Sequence, residues 1–153
     1  MKPRIDYAHA APGVVDAMRG LERYTHASGL ERKLLELVKM RASQMNGCAY
    51  CIDMHSKDAR ALGETEQRLF ALDAWRETPF FDARERAALA WTEAVTCISD
   101  GHAADDLFDE VRKHFSEKEL VDLTLAIVAI NGWNRLAIAF RAVPGGYVAQ
   151  QTK

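Results

Sequence analysis

The stretch NGCAYCIDMHSKD, Asn46 to Asp58, places two thiols three residues apart and an imidazole four residues beyond the second. On a helix Cys48 and Cys51 share a face, and His55, at i+4 from Cys51, joins them. Asn46-Gly47 breaks the preceding helix, so Cys48 stands at a helix N-terminus. Unpaired N–H groups and a partial positive charge favour thiolate there. A thiolate, a second thiol to trap its oxidised form and an imidazole to move protons make up a dithiol redox centre. Zinc is the competing chemistry. A structural zinc site needs four ligands, and this cluster supplies three. A fourth would have to come from Cys97, His102 or Glu36, and no second C-x-x-C or H-x-x-x-H completes the set. The expectation is therefore no metal. A structural staple is disfavoured because a disulfide across two residues closes too small a loop to gain much chain entropy.

Helices must position these groups, because helix signals dominate and strand signals are absent. Capping boxes are readable at Ser28/Glu31, Asp82/Glu85 and Ser116/Glu119, each before an apolar-periodic run. The pattern predicts helices near 11–27, 30–46, 48–62, 65–77, 83–99, 103–115 and 117–142, an all-α chain. The last is apolar nearly all round from Leu120 to Ile130 and is expected to be the buried central helix. MNGC (Met45 to Cys48) and INGW (Ile130 to Trp133) echo each other, which suggests two helix-turn-helix units of similar shape. Cys97 reads as a small buried hydrophobe. Trp75, Trp91 and Trp133 read as core or subunit-interface residues, and Arg135 as half of a carboxylate pair.

Composition bounds the function. The 153 residues include 48% hydrophobic types and carry a net charge of -2, with a pI near 6.2. One domain over 1–153 is expected, with no electrostatic footprint for nucleic acid. MKPRIDYAHA lacks the apolar stretch of a signal peptide, and LTLAIVAI (Leu123 to Ile130) is too short to span a bilayer. A cytoplasmic protein without membrane partners is expected, and in a reducing cytosol a C-x-x-C is redox-active or metal-binding. Thioredoxin-like chemistry would need flanking strands, so the dithiol sits in an all-helical setting.

Taken alone, Glu36 reads as a solvated helix charge, with Lys33 and Lys39 three residues to either side. A helix hairpin about Gly47 would nevertheless bring it opposite residues near 57–58, within about a turn of His55.

These residues resemble the alkylhydroperoxidase D-like (AhpD-like) proteins of the carboxymuconolactone decarboxylase superfamily. That family's pattern is a glutamate, eleven residues, then C-x-x-C-x-x-x-H, and Glu36, Cys48, Cys51 and His55 stand in that spacing. ASQMNGCAYCIDMHSKDAR, FFDARERAALAWTEAVT and SEKELVDLTLAIVAINGWNRLAIAFR extend the likeness over most of the chain. The resemblance implies an AhpD-like helical fold and reduction of organic hydroperoxides. It implies Cys51 as the peroxidatic sulfur, Cys48 as the resolving one, His55 as proton relay and Glu36 as the base that orients it. No bound cofactor is implied. An external lipoyl-type dithiol, delivered by a reducing partner protein, would reset the disulfide, and the chain would form a trimer or hexamer. Some relatives carry a histidine between the cysteines; here Tyr50, a poorer base near pH 7, takes that position. Helix-terminus electrostatics alone favour attack by Cys48, whereas the i+4 histidine favours Cys51. The rival readings are lactone chemistry with His55 as base, and a non-enzymatic thiol redox or stress-sensing module.

Overall fold

The computed structural model describes residues 1–149; positions 150–153 of the expected domain lie outside them. Its helices run α1 Tyr7–Ala10, α2 Pro12–Ala27, α3 Arg32–Asn46, α4 Ala49–Ala61, α5 Glu66–Ala71, α6 Ala83–Thr96, α7 Ile98–Gly101, α8 Asp105–Arg112 and α9 Glu117–Phe140. A 3-10 segment, Leu72–Glu77, continues α5. No strand occurs among the described residues.

Helix α3 is the more enclosed of the two central helices, a correction to the expectation for α9. It buries Leu34, Leu35, Leu37, Val38, Met40 and Ala42, and also the polar Glu36, Lys39 and Ser43. Helices α4, α6 and α9 all pack on it, and α2 lies along α9. One apolar cluster joins α3 to α6, α8 and α9 through Leu35, Val38, Trp91, Val111 and Ile127. A second joins it to α4, α5 and the 3-10 segment through Leu37, Met40, Ala59, Leu69, Leu72 and Trp75. Helix α9 leaves a stripe of Val121, Val128 and Ile138 exposed. By length and mean hydropathy (1.4 over its apolar window) α9 could cross a membrane, a test that the eight-residue run alone fails. Here it is a packed helix with buried, hydrogen-bonded Asp122, Asn131 and Asn134.

Two of the three capping boxes form, at Asp82/Glu85 and Ser116/Glu119. The one at Ser28 does not. Ser28 ends α2, its hydroxyl donating to the Thr25 carbonyl (2.7 Å). Gly29, at φ +99°, then turns the chain before α3 opens at Glu31, whose carboxylate meets Arg84 at 3.1 Å. The echo of two helix-turn-helix units also fails. Asn46-Gly47 does break a helix, with Gly47 at φ +67°, but Asn131-Gly132 lies inside continuous α9. What the two sites share is a contact: the Asn46 side-chain amide donates to Asn131 Oδ1 and to Asn134 Oδ1, both at 2.9 Å.

Local accounting explains two further departures. Helix α6 stops at Thr96 and Cys97 caps it with its side chain exposed, so Cys97 is not a core residue. Arg135 is exposed and donates to the Asn131 carbonyl at 2.9 Å, with no carboxylate within ion-pair distance among the described residues. Trp75 and Trp91 are buried, their indole N–H groups donating to Glu93 and Thr124 (2.8 and 2.9 Å).

Asn134 is fully buried, accepting from Asn46 and donating to Ser43 Oγ at 3.1 Å. These bonds fix α9 against the end of α3 just before the cysteine turn. Asn134→Ala should cost about 2 kcal/mol by stranding those partners, read as a lowered urea midpoint with the disulfide intact. An unchanged midpoint would contradict this role.

Candidate active site

The cysteine turn is tied down by backbone bonds. Gly47, in the left-handed region that favours glycine, lets its own N–H reach the Gln44 carbonyl and the Cys48 N–H reach that of Ser43 (3.1 and 3.0 Å). Cys48 is the N-cap residue of α4, and Cys51 lies in its first turn. The two are joined as a disulfide, with Cα atoms 5.4 Å apart. Both are buried in an apolar cluster with Ala42, Ile130 and Ala137, flanked by Tyr50 and Trp133. Cys51 lines a cavity of about 300 Å³ bordered by Tyr7, Val15, Arg19, Tyr50, Met54 and Trp133.

One turn on, the α3–α4 hairpin brings Glu36 against His55 directly, rather than a turn away as its register suggests. His55 Nδ1 lies 2.8 Å from Glu36 Oε2, and both side chains are buried. The other carboxylate oxygen of Glu36 accepts from Lys39 Nζ at 3.2 Å. Lys39 is buried too, and its ammonium also meets Glu22 (3.1 Å) and His26 Nε2 (3.2 Å). The reading of Glu36, taken alone, as a solvated helix charge thus does not hold: it faces inward with His55 and the Lys39 ammonium as partners.

The electrostatics follow from this packing. Burial by itself would raise the Glu36 carboxyl. The hydrogen bond and charge of His55, with the Lys39 ammonium, outweigh it and hold the group at about 2. Burial likewise opposes the charge on Lys39, but Glu36 and Glu22 raise its proton affinity overall. When the His55 ring is neutral, the hydrogen bond to an ionised Glu36 puts its proton on Nδ1 and leaves Nε2 with the lone pair. Nε2 is buried and without a hydrogen-bond partner among the described residues, and His55 shares a helix face with Cys51.

Glu36, His55, Asp58, Glu22, His26 and Lys39 line a second cavity of about 420 Å³, with Trp133 and Met54 common to both cavities. Donor atoms of Glu36, His55 and Asp58 lie within 4.8 Å of one another. Glu36 and His55 are already engaged with each other, and the second Glu36 oxygen is engaged by the Lys39 ammonium. Sequence reasoning missed Glu22, His26, Lys39, Asp58 and Tyr147. Asp58 alone carried a signal, since it follows His55 at i+3.

The folded value of Glu36 lies below its ordinary 4.5. Its charge therefore stabilises the fold fully above pH 4.5, and this contribution is lost as pH falls toward 2. Glu36→Gln should cost on the order of 3 kcal/mol at neutral pH, the scale for breaking a buried ion pair. The gap to the parent, measured by denaturant titration, should close across that acid range. A gap independent of pH would contradict the account.

Comparison with known proteins agrees with this arrangement. The sequence pattern of the carboxymuconolactone decarboxylase family matches residues 12–94, which hold Glu36, Cys48, Cys51 and His55. The chain is 48% identical over 139 residues to the uncharacterized protein YdfG of Bacillus subtilis (strain 168), covering 91% of this chain and 95% of that one. It superposes at a TM-score of 0.92, with 46% identity over 95% of this chain and all of the other, on the crystal structure of ATU0492 from Agrobacterium tumefaciens. That protein is described as of unknown function and a candidate antioxidant defence protein AhpD. The debrominase Bmp8, 24% identical at a TM-score of 0.80 over 90% of this chain and 74% of its own, shares the fold. With its glutamate, C-x-x-C and histidine in one all-α frame, the chain belongs to the AhpD-like proteins of the carboxymuconolactone decarboxylase family.

Proposed function

We propose that this protein is a thiol peroxidase that reduces organic hydroperoxides to alcohols through a Cys48/Cys51 dithiol–disulfide cycle. The observation that carries the reading is the placement of Cys51. It borders a cavity and precedes by one helical turn a histidine whose Nδ1 is engaged by a buried carboxylate. In the reduced protein His55 Nε2 accepts the Cys51 proton while Glu36 stabilises the imidazolium. The thiolate attacks the terminal peroxide oxygen, the O–O bond breaks, and the alkoxide leaves as an alcohol with the proton from His55. Cys51 is now a sulfenic acid. Cys48 attacks its sulfur, the S–S bond forms, and hydroxide departs with the Cys48 proton as water. Two electrons have moved from the dithiol to the peroxide. An external dithiol, of the lipoyl type implied by the family and carried by a partner protein, returns them by thiol–disulfide exchange.

The order of the sulfurs follows from access. Cys48 sits nearer the helix terminus, but Cys51 has both the cavity and the histidine. After one equivalent of cumene hydroperoxide, reduced Cys48→Ser should carry sulfenic acid at Cys51 and over-oxidise. Cys51→Ser should hardly react, and Cys97→Ala should form the disulfide normally. Intact mass reads all three. Sulfenic acid on Cys48 in the Cys51→Ser protein, at the parent's rate, would reverse the assignment. Disulfide exchange without peroxide turnover would favour the redox-module reading.

Self-association into a trimer or hexamer belongs to the same proposal. Val121, at 69% exposure, Val128 and Phe108 present apolar surface beside a groove lined by Trp91, Leu120 and Leu125. Contiguous apolar surface of this kind marks association sites. Light scattering at micromolar concentration should give a multiple of 17.1 kDa; a monomer alone would contradict it.

A further inference from the structure

Beyond α9 the chain has no regular secondary structure up to residue 149, yet it is fastened to α4 at three points. The Gly145 N–H donates to Asp53 Oδ2 at 3.0 Å. Lys57 Nζ, held by Asp53 at 2.9 Å, donates to the Tyr147 carbonyl at 3.0 Å. The Tyr147 hydroxyl donates to Asp58 Oδ1 at 2.7 Å. This strap sets Tyr147 in the wall of the relay cavity and, on its other side, in a larger groove of about 1130 Å³ lined by Met40, Ile52, Leu69 and Phe70.

Asp58 is the residue that the strap controls. It lies one turn beyond His55, and its carboxylate comes within 4.8 Å of atoms of both His55 and Glu36. The hydrogen bond to its carboxylate comes from Tyr147, and no lysine, arginine or histidine pairs with it within 4.0 Å among the described residues. Two carboxylates this close repel, so without a donor Asp58 would turn away. A lysine or arginine donor would cancel the field that Asp58 exerts on the imidazole. A phenol supplies the donor without the charge. Burial, and then the Asp58 carboxylate itself, raise the Tyr147 hydroxyl above its ordinary value, so it stays protonated and donating.

We propose that Asp58 is a second carboxylate of the His55 relay and that Tyr147 is the positioning residue that holds it there. The inference rests on the peroxidase reading and extends it to a part of the chain outside the C-x-x-C hairpin. Other groups lining the cavity with His55 come from three further helices. Helix α2 contributes Glu22 and His26, α3 contributes Arg32, Glu36 and Lys39, and α9 contributes the uncharged Trp133. Lys39 is already shared between Glu22 and Glu36, which leaves the Asp58 carboxylate, within 4.8 Å of the imidazole and with Tyr147 as its partner, to act on His55.

The test reads thiol ionisation and not turnover. In a reduced Cys48→Ser/Cys97→Ala protein the remaining sulfur is Cys51, and its alkylation by iodoacetamide is followed against pH. Tyr147→Phe keeps the ring and removes the hydroxyl; Asp58→Asn keeps the shape and removes the charge. Each should move the midpoint upward and slow alkylation at pH 7 about three- to ten-fold, the effect of half to one unit in a midpoint. The double variant should be no slower than Asp58→Asn alone, because Tyr147 acts through Asp58. A profile unmoved by either substitution, or effects that add in the double variant, would overturn the inference. Glu36→Gln in the same background separates the two levels. If it alone moves the profile, the Asp58–Tyr147 proposal falls; if it too leaves the profile unmoved, the relay reading falls with it.

Discussion

The 2.8 Å hydrogen bond between His55 Nδ1 and Glu36 is the constraint around which the rest is arranged. A carboxylate enclosed between two helices is costly unless its lone pairs are met and its charge is balanced. His55 meets one oxygen and Lys39 the other, and Lys39 in turn requires Glu22. Helix α3 therefore carries a polar interior stripe between its leucines. The register of the α3–α4 hairpin is set by the need to bring position 36 to position 55. Gly47 supplies the left-handed turn that allows it, and Cys48 becomes the N-cap of α4 as a consequence.

The site divides into two halves about Met54 and Trp133, which line both cavities. On one side the sulfurs sit among apolar side chains, where a nucleophile is shielded from bulk water. On the other side lie the charged groups Glu22, Glu36, Lys39 and Asp58. His55 lies between the halves on α4, its Nδ1 engaged by Glu36 and its Nε2 without a hydrogen-bond partner among the described residues. Cys48 is the N-cap of α4, whereas His55 follows Cys51 by one helical turn. The dithiol can be asymmetric even though its two members are bonded to each other in this state.

Local signals in the sequence were legible where the interactions are local. The boxes at Asp82 and Ser116 close within four residues, and the C-x-x-C-x-x-x-H spacing states which groups share a face. Ser28 misled because Gly29 inserts a turn that the S-x-x-E pattern cannot register. Cys97 misled because the Ala- and Val-rich run before it ends at Thr96, one residue short. Glu36 and Lys39 are an i, i+3 pair of opposite charge, the same pattern that a solvated helix face presents. Their burial depends on α2 and α4, neither adjacent to them on α3. Tyr147 was invisible for a similar reason: it lies beyond the last helix, and its meaning comes from Asp58, 89 residues earlier in the chain.

The most direct test of the central interaction is the tautomer of His55, observed by nitrogen-15 NMR on the oxidised protein near neutral pH. An ionised Glu36 at Nδ1 requires that Nδ1 carry the proton, so that a neutral ring keeps its lone pair on Nε2, and Glu36→Gln should change the Nδ1 environment first. A neutral ring protonated at Nε2, with Nδ1 bare, would contradict the account, because the atom meant to receive the Cys51 proton would already hold one.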